Sequence, residues 1–440
     1  MKRLADLSFS DNTPAPTGVI VRLDDSKRYQ RFQGLGGTMT DSTAWEISRL
    51  PTATRTALME AMFGPNGDHL SFLRLPIGAS DFTAQERPYS YDNMPPGQSD
   101  PRLTHFSIRH DRRYIIPVLK QALAINPDIR VIASPWSAPD WMKTNDALNN
   151  IDGRGFLKPN DYPAYAEYFV KFIEAYQRLG IHIDAITPQN EPGTHTISPG
   201  MNFPVNQEAL FIDRFLRLAL RQAGLNTNIY GYDASWSSYG YASSLARQTT
   251  GIAGIAWHCY AGRPWIMTVL HRTFPGLDQK LDECAENLAF FPEAMVAIAA
   301  SRNWATGIAV WALVLDTNGG PVQPPNSHCP ACYGAVEENN QTRQLTYTRK
   351  FFELGQFGHF VSLGAQRIYS PSDVRFNMPR GTHPFTPGLA DVAFRNPDGT
   401  DVLIAYNNSD APISFSVDAP NRGWFRFRMP AQATTTFAWR

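Results

Sequence analysis

The sequence predicts a (β/α)8 barrel, an α/β fold, fused to a small antiparallel β-sandwich side domain. Three observations carry this. Short apolar runs that do not alternate recur eight times between residue 34 and about residue 360, as expected of strands buried on both faces of a parallel sheet. Amphipathic segments lie between them. From about residue 363 the pattern changes to short β runs separated by turns. At 440 residues the chain is too long for one ordinary core, which suits a large unit beside a smaller one.

The eight predicted barrel strands are Gly34–Gly37, Phe72–Gly78, Val131–Trp136, Ile183–Pro188, Asn228–Asp233, Gly254–Tyr260, Gln279–Glu283 and Gly307–Leu315. Helices are expected between them. Thr52 to Phe63 is closed by Gly64, and Ile115, Val118, Leu119, Ala122 and Leu123 form an apolar stripe. Tyr165, Phe169, Phe172, Ile173, Tyr176 and Leu179 form a second stripe, with Asp161 as N-cap and Gly180 as stop. Leu210, Phe211, Phe215, Leu218 and Ala219 form a third, ended by Gly224. An open doubly wound sheet is disfavoured, because Gly34-Leu35-Gly36-Gly37 runs into Thr38-Met39-Thr40-Asp41 and lacks the spacing of a phosphate-binding turn. The barrel is assigned residues 34–362. Sandwich strands are predicted at Val374–Asn377, Asp391–Arg395, Val402–Asn407, Ile413–Val417, Trp424–Met429 and Thr434–Trp439. The strand-like stretch Gly18 to Gln33 is expected to return to them, so that residues 1–33 and 363–440 build one side domain.

Lys plus Arg equals Asp plus Glu at 40 each, which gives no electrostatic reason to expect nucleic acid or an acidic membrane surface as partner. No stretch approaches the roughly 20 apolar residues of a membrane span. The start, Met1-Lys2-Arg3-Leu4-Ala5-Asp6, has no apolar run behind its basic residues, so it does not read as a signal peptide. The expectation is a protein that works outside the cytoplasm with its leader absent, with an intracellular location as the alternative. Cys259 and Cys284 fall in predicted barrel strands and are expected to be buried thiols. His328-Cys329-Pro330-Ala331-Cys332 is compatible with a loop disulfide, with free thiols, or with a metal site short of ligands.

The chemistry-bearing residues sit at predicted strand ends, where barrel enzymes place their active sites. Thr187-Pro188-Gln189-Asn190-Glu191-Pro192 follows the fourth strand, and Leu281-Asp282-Glu283-Cys284 ends the seventh. Glu191 and Glu283 are the minimal pair for breaking a glycosidic bond, and apolar surroundings are expected to raise the Glu191 pKa. Adjacent strand side chains point to opposite faces, so Asp282 is expected to face away when Glu283 faces the mouth. Asp278, Glu286 and Glu293 read as surface or cap groups. Arg74, a charge inside Phe72-Leu73-Arg74-Leu75-Pro76, needs an acidic partner or a ligand. Asp81 follows that strand and suits either a substrate hydroxyl or a turn cap. His258 and Tyr260 share one strand face. Trp136, Trp141 and Trp311 lie near strand ends and suit core packing or sugar stacking, with Trp311 the best candidate for a sugar platform. No Gly-x-Ser-x-Gly turn, P-loop, His-Glu-x-x-His or EF-hand pattern is present, so no metal and no cofactor is expected.

These segments together resemble glycoside hydrolase family 30, which includes glucosylceramidase, β-1,6-glucanases and xylanases. The resemblance rests on Phe32 to Asp41, Leu73-Arg74-Leu75-Pro76 with Asp81-Phe82, Ala133 to Asn145, Thr187 to Pro192, His258-Cys259-Tyr260, Glu283-Cys284, Trp311 with Gly319-Gly320-Pro321, and Gly355 to Phe360. It implies a retaining mechanism with Glu191 as general acid/base and Glu283 as nucleophile. It also implies that Asn190 binds the 2-hydroxyl and Arg74 supports the carboxylates. Asp81, Trp136 and Trp311 would hold the glycone, with His258 and Tyr260 beside the nucleophile. The partner implied is a β-linked carbohydrate. Ala285-Glu286-Asn287 and Ala312 to Asp316 depart from the family pattern, which opens the sugar identity. The rival readings are a non-catalytic carbohydrate-binding protein on the same fold and a transglycosylase. The loops Gly193–Pro204, Ser235–Tyr241 and Thr317–Asn340 are expected to decide exo against endo action. Trp236, Tyr239 and Tyr241 suit either a plus-side subsite or loop packing.

Overall fold

The computed structural model describes residues 2–10, 18–84, 87–285, 293–325, 332–371, 388–420 and 422–440. The predicted strand Val374–Asn377, together with Glu286, His328 and Cys329, lies outside them.

Eight parallel strands close into one barrel. In chain order they are Gly34–Thr38, Phe72–Pro76, Arg130–Ser134, Ala185–Ile186, Asn228–Ser235, Gly254–His258, Asp278–Glu283 and Gly307–Val310. The eighth pairs with the first, Gly307 opposite Gly34 and Val310 opposite Gly37. The first strand reads Gly-Leu-Gly-Gly-Thr because the neighbouring backbone runs very close: a Cβ at Gly36 would overlap the Phe72 carbonyl. All eight predicted strands are present, and their burial on both faces explains why they are apolar without alternation.

The helices Thr52–Phe63, Ile115–Ile125 and Tyr162–Gln177 form as expected, the last burying Tyr165, Phe169, Phe172, Ile173 and Tyr176 against the barrel. The third predicted stripe does not hold. A π segment, Ile212–Leu216, interrupts the helix between Val205–Phe211 and Arg217–Gln222. The wider π turn rotates the following residues, so Ile212, Leu216 and Leu220 are buried while Leu210 and Leu218 face solvent.

The eighth strand is shorter than predicted. After Val310 the chain leaves the barrel, and Val314–Asp316 pairs instead with Val336–Glu338, which pairs with Leu345–Tyr347. The side domain has a five-stranded sheet (Thr434–Trp439, Asp401–Asn407, Leu389–Arg395, Gln366–Tyr369, Asp24–Arg31) and a three-stranded one (Val19–Arg22, Ile413–Ala419, Gly423–Met429). Their shared core includes Val21, Leu23, Ile368, Leu403, Phe415, Val417 and Phe425. The residues before the barrel therefore supply one strand to each sheet. Val19–Arg22 pairs parallel, a departure from a purely antiparallel sandwich. Gln366–Tyr369 is a strand the sequence reading did not separate from its surroundings.

Candidate active site

All nine predicted site residues gather at the C-terminal end of the barrel, around the buried guanidinium of Arg74. Arg74 projects from the second strand. It donates through Nη1 to Glu283 Oε2, and through Nη2 to Asn190 Oδ1 at 2.7 Å and to Asp233 at 3.0 Å. Its Nε lies 3.2 Å from Asp282 Oδ2, and its plane stands 4.7 Å from the Trp136 ring. An isolated buried guanidinium would be prohibitively costly, so the surrounding carboxylates are a condition of its burial.

The loop after the fourth strand is pinned on both sides. The Asn190 amide donates to the Pro135 carbonyl at 2.8 Å, Gln189 Nε2 to the Trp136 carbonyl at 2.7 Å, and the Glu191 amide to the Asp233 carbonyl at 2.9 Å. These bonds hold Glu191 at φ +45°, a left-handed conformation costly for a non-glycine residue. The strain aims the carboxylate across the barrel mouth. Glu191 Oε1 meets His258 Nδ1 at 3.0 Å, and the same nitrogen stands 3.7 Å from Glu283 Oε1. One carboxylate oxygen of Glu191 and one of Glu283 lie within 4.8 Å of each other. Tyr260, 41% exposed at the mouth, donates its hydroxyl to Glu283 Oε1 at 2.8 Å.

Two expectations are corrected here. Asp282 does not face away. Strands six and seven slip register between Trp257 and His258, so that Trp257 pairs with Leu281 but His258 pairs with Glu283. The extra residue breaks the two-residue alternation, and Asp282 and Glu283 both reach Arg74. Cys259 and Cys284 are not thiols: they form a disulfide, Cα–Cα 5.2 Å, that joins these two strand ends just beyond the slip. Cys332 is also disulfide-bonded.

Asp233 was not singled out by the sequence reading. It is wholly buried and accepts from Thr187 Oγ1 at 2.6 Å, from Ser134 Oγ and from Arg74, and lies 2.9 Å from His258 Nε2. A second slip, between Tyr232 and Ala234, with Tyr232 and Asp233 both at positive φ, turns it inward. The signal was available: an Asp inside the apolar run Ile229 to Ala234 is as anomalous as Arg74. Glu293, read as a surface or cap group, is buried, and Asp278 is half-buried against Lys280.

The electrostatics follow from this crowding. Burial pushes the Asp233 carboxyl up, but Arg74 and His258 outweigh it and hold the group ionised. Burial and the Asp233 charge hold the Asp282 carboxyl well above its usual range, so it keeps a proton. His258 would lose its proton on burial, yet Glu283, Asp233 and Glu191 raise it well above the ordinary imidazole value. Glu191 therefore differs from the expectation of a raised pKa: burial raises it, but the hydrogen bond and charge of His258 bring it below the usual glutamate value. Burial, and secondly Glu283, push Asp81 up to about 7. Two donor groups, Glu191/His258/Glu283 and Asp233/His258/Asp282, are spaced as if to surround a cation. Arg74 and protonated His258 supply positive charge to both.

A cleft opens beside Glu191, lined by Asp81, Trp136, Asn190, Glu191 and a rim of Thr194, Thr196, Ser198, Pro199 and Gly200. Trp311 packs behind Trp136, ring centroids 5.4 Å apart, and edge-on to Phe82 at 5.2 Å. Trp141 is core, its indole nitrogen donating to Asp92. Trp236 is buried, and Tyr241 donates to Glu208 at 2.6 Å, so both pack the loop.

Comparison with known proteins fits this geometry. The Glycosyl hydrolase family 30 TIM-barrel domain matches residues 32–239, and the Glycosyl hydrolase family 30 beta sandwich domain matches residues 364–437. An endo-1,6-beta-D-glucanase of Neurospora crassa is 32% identical over 90% of this chain and 83% of its own. Lysosomal acid glucosylceramidase of Mus musculus is 28% identical over 96% of this chain and 84% of its own. A solved endo-beta1,6-glucanase superposes with a TM-score of 0.85 at 28% identity, over 99% of this chain and 96% of that one. The barrel, its sandwich and these relatives make the chain a glycoside hydrolase, and it belongs to glycosyl hydrolase family 30.

Proposed function

We propose that the enzyme is a retaining β-glycosidase whose substrate is a β-1,6-linked glucan. The observation that carries the mechanism is the separation of Glu191 and Glu283. Oxygens within 4.8 Å suit the roughly 5–5.5 Å of retaining enzymes and leave no room for the water an inverting enzyme places at about 6.5–9.5 Å. In this reading Glu283 attacks the anomeric carbon while Glu191 protonates the leaving oxygen. The proton reaches Glu191 along its bond from His258 Nδ1. Arg74 and Tyr260 each donate to Glu283, one to each carboxylate oxygen, and keep it aligned. Water then displaces the enzyme, with Glu191 as base.

Two things support a glucan over a glycolipid. The rim beside Glu191 carries the hydroxyls of Thr194, Thr196 and Ser198, which suit a sugar leaving group better than an acyl chain. The glucanase relative is also nearer in sequence than the glucosylceramidase. The decisive experiment follows hydrolysis of a β-1,6-gluco-oligosaccharide by NMR. The first-formed product should be the β-anomer, and α-anomer appearing first would reject retention. Glu283→Ala should abolish turnover. Glu191→Ala should spare activated aryl glucosides far more than oligosaccharides, and equal losses on both would reject the assigned roles.

A further inference from the structure

Lys143 is among the most deeply buried charged side chains of the molecule, and nothing in the catalytic scheme uses it. It follows the short helix Asp140–Met142, on the loop after the third barrel strand. Its ammonium donates to three backbone carbonyls: Leu148 at 2.8 Å, Asn149 at 3.0 Å and Gly200 at 2.7 Å. All three N–H groups are used, and every acceptor is a peptide oxygen. Burial pushes Lys143 down to about 7, with Asp140 and Asp152 acting against that fall. A buried charge whose direct contacts are all dipoles is costly, and an apolar side chain would fill the same space more cheaply.

The three carbonyls belong to two different loops. Leu148 and Asn149 lie after the third strand, and Gly200 lies after the fourth. The loops are also zipped directly. Gly200 N donates to the Leu148 carbonyl at 3.0 Å, Asn150 N to the Thr196 carbonyl at 3.1 Å, and Asn202 N to the Gly155 carbonyl at 2.8 Å. Asn150 Nδ2 adds a bond to the Thr194 carbonyl at 3.1 Å. The second loop is the rim of the cleft, where Thr194, Thr196, Ser198 and Gly200 stand beside Glu191. Lys143 lies beneath this rim.

We infer that Lys143 is a positioning residue for the leaving-group side of the cleft, holding the hydroxyl-bearing rim where it meets the sugar on the far side of the scissile bond. The inference rests on the glucan reading above. It separates two substrate classes. A sugar leaving group needs the rim in place, whereas an activated aryl group leaves without its help.

The test compares wild type and Lys143→Met on 2,4-dinitrophenyl β-glucoside and on a β-1,6-gluco-oligosaccharide. The variant should lose about tenfold or more in kcat/KM on the oligosaccharide, chiefly through a higher KM, and stay within about twofold of wild type on the aryl glucoside. Retained aryl turnover is the control for a folded site. If Lys143→Met does not fold, Lys143→Gln keeps two N–H donors for the same carbonyls and should show the same split at smaller size. Equal losses on both substrates, or no loss on either, would overturn the assignment of Lys143. Wild-type enzyme that turns over the aryl glucoside but not the oligosaccharide would overturn the glucan reading by itself, and this inference with it.

Discussion

Two of the cations that the barrel buries within its strands, Lys280 and Arg74, lie toward opposite ends and meet the cost of burial in opposite ways. Lys280, near the N-terminal ends of the strands, donates to Asp278 Oδ2 at 2.8 Å, Gln33 Oε1 at 2.7 Å and Thr306 Oγ1 at 2.5 Å. Its ammonium stands 5.5 Å from the Tyr230 ring. One charge meets one charge, and neutral groups complete the shell. Arg74, toward the C-terminal ends, meets Asp233, Asp282 and Glu283 together, with Glu191 one step away through His258. Acid outnumbers base there even with Asp282 protonated. The Lys280 cluster is closed and needs nothing more. The Arg74 cluster keeps an excess of negative charge, as a site that must stabilise a cationic, oxocarbenium-like transition state should. The difference matches the general division of such barrels, with chemistry above and stability below.

Parallel substitutions test that division. Arg74→Met should have the largest effect: kcat falling by about 10²–10³-fold and stability by about 3–5 kcal/mol, because Glu283 loses its alignment and buried Asp233 loses one of its two cations. Lys280→Met should cost a similar few kcal/mol in chemical denaturation, by stranding Asp278, yet leave kcat/KM of the surviving folded enzyme within about twofold. If Lys280→Met lowers kcat as much as Arg74→Met, the two ends are coupled and the contrast fails.

A smaller effect is expected from the disulfide, which belongs to the catalytic end alone. Cys259 lies between His258 and Tyr260, and Cys284 follows Glu283, so the bond braces the slipped register that brings Asp282 and Glu283 inward together. Cys259→Ala with Cys284→Ala should reduce stability by about 2–4 kcal/mol for a loop with a sequence separation of 25. It should also lower kcat more than it raises KM. Loss of stability with kcat untouched would reduce the bond to a staple.

The same slip marks where the sequence stops being readable. The eight strands were legible because burial on both faces leaves an unmistakable apolar run. Glu191, Glu283 and Arg74 were legible because charge at the end or middle of such a run must have a reason. Asp282 and Asp233 were misjudged or passed over because each sits at a register slip, where alternation no longer predicts facing. The helix beyond Val205 failed for a related reason, since its π turn shifts the 3.6-residue count. The cysteine pairing was hidden because adjacency of strand ends is a property of the closed barrel and not of spacing. The Glu191 pKa was expected high from burial alone, and the partner that reverses it, His258, comes from a strand about seventy residues away in sequence.

A buried carboxyl, Asp68, shows a different solution. Asp68 is 2% exposed, and its Oδ2 accepts no hydrogen bond among the described residues. Burial pushes its pKa from 3.8 up to about 8, so the folded protein keeps a proton there through neutral pH. The sign is set by linkage. Between pH 4 and 8 the unfolded chain has released this proton and the folded one has not, so stability from this group is full below about 4 and drains away as pH rises toward about 8. Asp68→Asn places a permanently neutral amide there. It should flatten the fall in unfolding free energy from pH 5 to pH 8, measured by urea denaturation against wild type, by up to about 1.4 kcal/mol per pH unit. Comparing variant with wild type cancels every other titrating group, including Lys143, whose contribution has the opposite sign. Identical slopes would mean that Asp68 is ionised in the folded state and holds a counter-charge after all. It would then join Arg74 and Lys280 as a burial solved by pairing and not by protonation.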